Sequence, residues 1–350
     1  MSIAATKYIT SGGKDLSSIF MPLSFGTQYP TETGYKLSTG ADLNTVFCSK
    51  YSTTATNTSL LLSNNQDLSD IFDGYHPTGY INVGIVNPYV NAVFTLDPSN
   101  VYIGGGFTDT TGNYITRWDG TQFNKLGNTP LNFKVRAIYA VDTSNVYIGG
   151  DFTNGSTIGS YLTRWDGISF NKLGTTTQLN SYVSAIYAVD TSNVYIGGGF
   201  TNGSTIGSYI TRWDGIQYNS LGTTQLGNAV NAIYAVDTSN VYIGGDFTNA
   251  TIGPRITRWD GIQYNSLPTT NPLNSSVKAI YAFDTSNVYI GGAFSTATIS
   301  FLAKWNGTVL DRVGVGPQPP QIINGLHKYN NSSIIIGLNN TGMNVLKYQT

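Results

Sequence analysis

The chain has 350 residues, of which 11% are charged and 13% are aromatic, and its formal net charge at pH 7 is −1. So small a charge creates no long-range field that would draw the protein to nucleic acid or to an anionic membrane. The single cysteine, Cys48, excludes an internal disulfide framework. The first residues lack the basic start and apolar core of a signal peptide, and no apolar run approaches the roughly 20 residues that span a bilayer.

Residues 1–79 predict a small N-terminal module of mixed structure. Three short units, GGKDLSSIF, TGADLNTVF and NNQDLSDIF, each combine a turn-like pair, a capping aspartate, a leucine and a β-branched residue followed by Phe. Their aspartates are Asp15, Asp42 and Asp67. The spacing of the apolar residues fits one face of a helical turn, so we expect short helical turns between extended segments. Because so small a module can hardly bury its phenylalanines alone, we expect it to attach to the rest of the chain, another copy or a larger assembly.

Residues 80–350 are dominated by a long repeat. Its tryptophans recur every 46 to 48 residues, at Trp118, Trp165, Trp213, Trp259 and Trp305. Each unit contains four short segments, such as AIYAV, NVYIGG, YITRWDG and QYNSLG, whose β-branched and aromatic residues favour strands. A repeat of about 40–50 residues with four short strands predicts one β-propeller blade per unit. The apolar run AIYAV indicates a strand covered on both faces, as where one blade stacks on the next.

Tight turns join the predicted strands of each unit. Asp-x-Ser-Asn, between strands one and two, supplies side chains that hydrogen-bond their own backbone. Asp-Gly after each tryptophan is typical of a two-residue hairpin. These turns open on one face of the propeller, called here the short-turn face. The loops between strands two and three, such as 153–160, and the connections between blades, such as 174–181, are longer and open on the opposite face, the long-loop face.

The two ends of the repeat region complement each other. Tyr80–Gly84 aligns with the fourth strand of a blade, whereas Ile322–Tyr348 supplies strands one to three without a fourth. We predict that the N-terminal strand completes the last blade and closes the ring, which would remove exposed sheet edges. The predicted fold is therefore all-β, a six-bladed β-propeller over 80–350 with N-terminal strand closure.

The order of strand, diglycine, strand and Arg-Trp-Asp-Gly resembles kelch-like propellers, whose blades carry a diglycine after the second strand and an aromatic in the third. The sequence motif VYIGG…TRWDG is similar to repeats of bacterial surface proteins and fungal cortical marker proteins. This resemblance covers 80–350 and implies a fold more than an activity. The units DLSSIF, DLNTVF and DLSDIF resemble short repeats in surface and fibre proteins of phages and large DNA viruses. Together the resemblances imply a virion surface or fibre-associated protein.

No group of residues in the repeat has the composition of an active site. The two histidines, His76 and His327, accompany neither a nucleophile nor a metal-ligand spacing. The repeated aspartates before Ser-Asn belong to turns, which favours a structural role. The basic residues before the tryptophans could form an anion-binding ring, but pairing with a carboxylate or stacking on an aromatic is favoured. They are Arg117, Arg164, Arg212, Arg258 and Lys304. We therefore expect no catalysis, no cofactor and no metal.

The long loops carry the candidate binding residues. Binding groups are commonly held on loops above a rigid scaffold, and uncharged amide and hydroxyl groups beside tyrosines suit a carbohydrate or protein surface better than a phosphate. The candidates are Asn154, Ser156, Thr157, Asn202, Ser204, Thr205, Asn249 and Thr251.

Three functions remain open from the sequence. The favoured hypothesis is a non-enzymatic structural or adhesion protein at a virion surface, which binds assembly proteins through 1–79 and a glycan or host surface protein through the propeller. The alternative is an intracellular kelch-like interaction or lectin module. A glycan-active enzyme is least favoured, since it needs a pair of converging acids. Homo-oligomer formation is left open.

Overall fold

The propeller is seen in a computed structural model that describes residues 89–109, 112–174, 178–249, 251–313, 319, 321–338 and 345–349. Residues 1–88 lie outside the described residues. The predicted module at 1–79 and the predicted closing strand Tyr80–Gly84 fall there, so both stay predictions. The described residues form six antiparallel sheets that follow one another along the chain as the blades of a propeller. The prediction of an all-β, six-bladed propeller is confirmed.

Five blades have four strands each, and the sixth has three among the described residues. Blade 1 comprises β1 (Val90–Asp97), β2 (Asn100–Asp109), β3 (Gly112–Trp118) and β4 (Phe123–Lys125). Blade 2 comprises β5 (Val135–Asp142), β6 (Asn145–Thr153), β7 (Ser160–Trp165) and β8 (Phe170–Asn171). Blade 3 comprises β9 (Val183–Asp190), β10 (Asn193–Thr201), β11 (Ser208–Trp213) and β12 (Tyr218–Asn219). Blade 4 comprises β13 (Val230–Asp237), β14 (Asn240–Gly245), β15 (Ile256–Trp259) and β16 (Tyr264–Ser266). Blade 5 comprises β17 (Val277–Ala282), β18 (Val288–Ser295), β19 (Ser300–Trp305) and β20 (Leu310–Arg312). Blade 6 comprises β21 (Ile323–Asn330), β22 (Ser333–Leu338) and β23 (Val345–Gln349). A single helical turn, α1 (Gly155–Ile158), interrupts the loop between β6 and β7.

The apolar core lies in the joints between successive blades. At the joint of blades 2 and 3, Val183 and Ile186 pack against the second strand of blade 2, opposite Gly149. A Cβ on Gly149 would stand 2.4 Å from Val183 Cγ1, so the first glycine of each pair lets the next blade approach. Each of the first five joints has such an apolar cluster. AIYAV is apolar throughout because it contacts the blades on both sides.

The repeated aspartates lie in turns, as predicted. Asp142 accepts hydrogen bonds from the Ser144 N–H at 2.8 Å and from Asn145 Nδ2 at 3.0 Å. Asp166, after the tryptophan, accepts from the Ser169 and Ile168 N–H groups at 2.7 and 2.8 Å. These bonds stabilise the charged form and hold the pKa of Asp166 below its ordinary value. The carboxylates therefore order hairpins on the short-turn face.

The joint between blade 6 and blade 1 differs from the others. Val90 and Val93 are 47% and 59% exposed, whereas Val135 and Ile138, at the same places in blade 2, are 0% and 7% exposed. Trp118 is half-buried, whereas the tryptophans of blades 2 to 5 are each 7% exposed. Blade 6 has its three predicted strands and, among the described residues, no fourth. Among the described residues, therefore, no apolar cluster covers this face of blade 1.

Candidate binding face

The long-loop face is built from loops that the chain holds in place with buried isoleucines. Ile158, Ile206 and Ile252 are 5%, 4% and 3% exposed and lie in the apolar clusters of their joints. Each follows an exposed loop tip by one or two residues. Each loop is thus anchored in a joint by its isoleucine, while its tip is exposed to solvent.

The three candidate asparagines clamp neighbouring backbone. Asn154 Nδ2 donates to the Pro130 carbonyl at 3.0 Å, and Asn154 Oδ1 accepts from the Asn132 N–H at 3.0 Å. Asn202 makes the same pair of contacts with Gln178 and Asn180, at 2.9 and 3.1 Å. Asn249 Nδ2 donates to the Gln225 carbonyl at 3.3 Å. Their amides therefore tie each loop to the connection that enters its own blade.

The five candidate hydroxyl residues lie at the loop tips and are exposed. They are Ser156, Thr157, Ser204, Thr205 and Thr251. Since the asparagines behind them are held, the hydroxyl groups are presented on ordered backbone rather than on free chain. They offer donors and acceptors without charge, which suits polar, neutral partners.

A left-handed residue repeats at the start of the third strand. Tyr114, Tyr161 and Tyr209 have φ values of 65°, 65° and 68°, and Arg255 and Phe301 adopt the same conformation in blades 4 and 5. Such φ values are uncommon for bulky residues and need support from their surroundings. Tyr161 and Tyr209 pack against the joint clusters, which supplies that support.

Sequence reasoning missed a charged cluster where the first strand of blade 2 begins. Arg136 Nε lies 2.8 Å from Asp151 Oδ1, and Lys134 Nζ lies 3.3 Å from Asp151 Oδ2. The Arg136 guanidinium also lies 4.9 Å from the centroid of the Tyr182 ring in blade 3. With Lys134 about a third exposed, these ion pairs contribute little to stability. They do provide fixed charges on a face that otherwise carries few.

Blade 4 repeats the aspartate with different partners. Asp246 accepts hydrogen bonds from Asn231 Nδ2 at 3.1 Å and from the Ser276 hydroxyl, and Arg255 Nη1 donates to the Asp246 carbonyl at 2.7 Å. One sequence feature could have revealed both clusters, namely the residue type at the position after the diglycine. The residue after the diglycine is Asp only in blades 2 and 4, while the flanking strand is nearly constant.

Aromatic rings run from blade to blade along the innermost strands. Phe94, Tyr139, Tyr187 and Tyr234 follow one another with centroids 4.8 Å apart, and Tyr281 continues the row at 5.2 Å. Burial raises the pKa of Tyr187 strongly and that of Tyr281 to about 12. His327 takes this place in blade 6. These rings are packed into the scaffold, and each contact contributes on the order of 1 kcal/mol beyond its burial.

The basic residues before the tryptophans are engaged inside their own blades. Arg117, Arg164 and Arg258 approach the side-chain oxygen of an asparagine in strand two at 3.5, 3.5 and 3.2 Å. Lys304 lies 5.4 Å from the centroid of the Tyr289 ring. The predicted stacking is seen for the lysine, whereas the arginines have an amide rather than a carboxylate as hydrogen-bond partner. Within the described ranges, no group of three or more His, Cys, Asp or Glu side chains could hold a metal ion, and no helix is long and apolar enough to cross a membrane.

Two solved structures of one extracellular domain share the fold. No protein-family model and no curated protein matches the chain. Two structures of the extracellular domain of BT4673 from B. thetaiotaomicron match with a TM-score of 0.50 and 15% identity, over 77% and 73% of this chain. The chain spans about a third of their length, 34% and 32%. A structure of YCF48 bound to D1 peptide matches with a TM-score of 0.42 and 11% identity, over 76% of this chain and 93% of that one. At 15% identity the likeness to the two BT4673 structures concerns the fold alone.

Proposed function

We propose that this chain is a non-enzymatic binding protein whose long-loop face holds a glycan or protein partner through hydrogen bonds. The observation that carries the proposal is that different residues of each loop fix its backbone and provide its exposed hydroxyl groups. Asn154 and its equivalents fix the backbone, while Thr157 and its equivalents are exposed at the tips. Rigid loops with displayed hydroxyl groups bind without an ordering penalty on their own side.

Each such site binds weakly, because neutral hydrogen bonds exposed to water contribute little on their own. Several propellers on one particle would make weak sites effective through avidity. We propose that 1–79 provides this attachment, and that the assembly is a virion surface. The support is the resemblance of the DLSSIF, DLNTVF and DLSDIF units to viral and phage surface repeats.

The binding proposal is tested with two matched triple variants of the full chain. The first places arginine at Thr157, Thr205 and Thr251 on the long-loop face. The second replaces Ile168, Ile216 and Ile262 by threonine on the short-turn face, where these isoleucines are 82–83% exposed and where blades 1 and 5 already carry threonine. Both sets of positions are exposed, so both variants should fold.

The assay is retention on an array of neutral and N-acetylated glycans, followed by mass spectrometry of the recovered glycans. We expect the wild-type protein and the isoleucine variant to bind the same glycans, the arginine variant to lose them, and the glycans to be recovered intact. Loss of binding in the isoleucine variant alone would move the site to the short-turn face. Cleaved glycans would establish an enzyme instead.

The location is tested by mass spectrometry of purified particles. We expect the protein in particles, and we expect 1–79 fused to a reporter to join them while 80–350 alone does not. Absence of the protein from particles would favour the intracellular alternative.

A further inference from the structure

A cleft of about 110 Å³ lies beside the joint of blades 1 and 2, on the long-loop side. Its lining includes Gly112, Asn113, Lys125, Leu126, Pro130 and Phe170. They come from the third and fourth strands of blade 1, the connection that leaves blade 1, and one aromatic ring of blade 2.

In blades 2 and 3 the chain fills the corresponding place with its own glutamine side chain. Gln178 Oε1 accepts a hydrogen bond from the Ser160 N–H at 3.2 Å, and Gln178 Nε2 donates to the Leu173 carbonyl at 3.3 Å. One blade further on, Gln225 Oε1 accepts from the Ser208 N–H at 2.8 Å. In blade 2 a primary carboxamide thus links the start of the third strand to the end of the blade, and in blade 3 it bonds to the start of the third strand.

Blade 1 has the same backbone groups but not the glutamine. Pro130 stands where Gln178 stands in the next repeat, and the equivalence is structural, because the Pro130 carbonyl receives Asn154 Nδ2 just as the Gln178 carbonyl receives Asn202 Nδ2. Asn113 and Leu126 take the places of Ser160 and Leu173, and both line the cleft. Gly112 takes the place of Gly159, where a Cβ would lie 3.2 Å from Gln178 Oε1. The cleft therefore coincides with the place of the carboxamide.

Blade 4 shows what happens when the binding groups themselves are lost. Pro272 again replaces the glutamine, but the residue after Gly253 is Pro254, which has no N–H to donate. In that blade the glutamine and its main hydrogen-bond donor are both missing. In blade 1 only the glutamine is missing, so the backbone of a carboxamide site is kept without its occupant.

We propose that this cleft receives the carboxamide of a glutamine side chain from a partner polypeptide. The side-chain oxygen of the partner's glutamine accepts a hydrogen bond from the Asn113 N–H, and the side-chain nitrogen donates one to the Leu126 carbonyl. A carboxylate would suit Lys125, but it offers no donor to the Leu126 carbonyl, so the amide fits both groups. The proposal names the chemical group that one part of the long-loop face binds. It rests on the proposed function, in which that face binds a partner.

The test uses the full chain and two-dimensional NMR of backbone amides. The probes are propionamide, propionate and N-acetylglucosamine, followed by acetyl-Ala-Gln-Ala-amide and its glutamate counterpart. We expect propionamide and the glutamine peptide to shift the Asn113 and Leu126 resonances, with half-saturation on the order of tens of millimolar for so small a ligand. We expect propionate and the glutamate peptide to shift them several-fold less at equal concentration.

The matched variants are Pro130→Gln, which restores the residue of blades 2 and 3, and Pro130→Ala, which leaves the cleft open. We expect Pro130→Gln to abolish the propionamide shifts and Pro130→Ala to keep them. The proposal is overturned if propionamide leaves both resonances unmoved in the wild-type protein, if it moves them equally in folded Pro130→Gln, or if propionate or N-acetylglucosamine moves them as strongly. The wild-type titration decides even where Pro130→Gln does not fold. These outcomes do not depend on the loop-tip variants. The proposal for the cleft and the proposal for the glycan site can therefore be refuted separately.

Discussion

Gly197→Ala tests whether the approach of one blade to the next is the main constraint on this fold. A Cβ on Gly197 would lie 2.4 Å from Val230 Cγ1 and 2.9 Å from Val230 Cβ, and Val230 is 0% exposed. Relief requires blade 4 to move by about 1 Å or Val230 to leave its rotamer, and overpacking of this kind costs roughly 1–3 kcal/mol. For a domain of this size that corresponds to a fall in Tm of about 2–4 °C per kcal/mol.

The matched control is Gly325→Ala in blade 6. Nothing lies within 4 Å of a Cβ built at Gly325, and its backbone is not left-handed. The other five blades carry alanine at this place. Because alanine restricts the unfolded chain more than glycine does, we expect Gly325→Ala to be neutral or to stabilise by up to about 1 kcal/mol.

A double-mutant cycle in urea separates steric conflict from a general effect of alanine. Val230→Ala alone removes two buried methyl groups and should cost about 2 kcal/mol. In Gly197→Ala/Val230→Ala the new methyl group occupies part of the space that Val230 leaves. We therefore expect the double variant to be at least 1 kcal/mol more stable than the sum of the single effects. Additivity within about 0.5 kcal/mol, or a neutral Gly197→Ala, would refute the packing argument.

Three further predictions follow from burial and hydrogen bonding. Trp213→Ala should cost about 3–5 kcal/mol in urea unfolding, and clearly more than Trp118→Ala, because Trp213 is 7% exposed while Trp118 is half-buried; equal losses would contradict this. The folded pKa of Asp166 lies below its ordinary value of 3.8, so its contribution to stability is present above that value and is lost as pH falls through the folded pKa; a carboxyl NMR titration with a midpoint at or above 3.8 would be inconsistent. Tyr281→Phe should remove an ionisation near pH 12 from the ultraviolet titration, since burial raises the pKa of Tyr281 to about 12; an ionisation lost near pH 10 would show that the ring is exposed.

The sequence was sufficient for those parts of the fold that depend on local chemistry repeated several times. Asp142 and Asp166 lie in turns because their carboxylates bond to N–H groups two or three residues away, and such contacts can be read from a short motif. The recurrence of Trp213 at one place per blade favours a packing role, and its ring packs edge-on against Tyr218, with the centroids 5.1 Å apart, in the joint of blades 2 and 3.

The candidate site was predicted less well, because its contacts join distant parts of the chain. The sequence predicts Asn154 as a binding residue, but its amide is engaged by Asn132, which lies 22 residues earlier in the connection that enters blade 2. The position of the Arg136 side chain does not follow from the sequence pattern, because a bulge between Val135 and Ala137 shifts the register of the first strand. Arg136 is the extra residue of this bulge, and its side chain contacts Asp151 and the ring of Tyr182.

The two end blades show how a near-identical repeat is modified where the ring must begin and end. Blade 6 replaces alanine by Gly325 and tyrosine by His327 at places where the inner blades contact their successors. Blade 1 nevertheless keeps Val90 and Val93, the side chains that bury against a preceding blade elsewhere. Covering those two valines to the level of Val135 and Ile138 would contribute on the order of 2 kcal/mol. The chain therefore retains the apolar half of a sixth joint on blade 1, and the stability of the described propeller rests on the five joints that are packed.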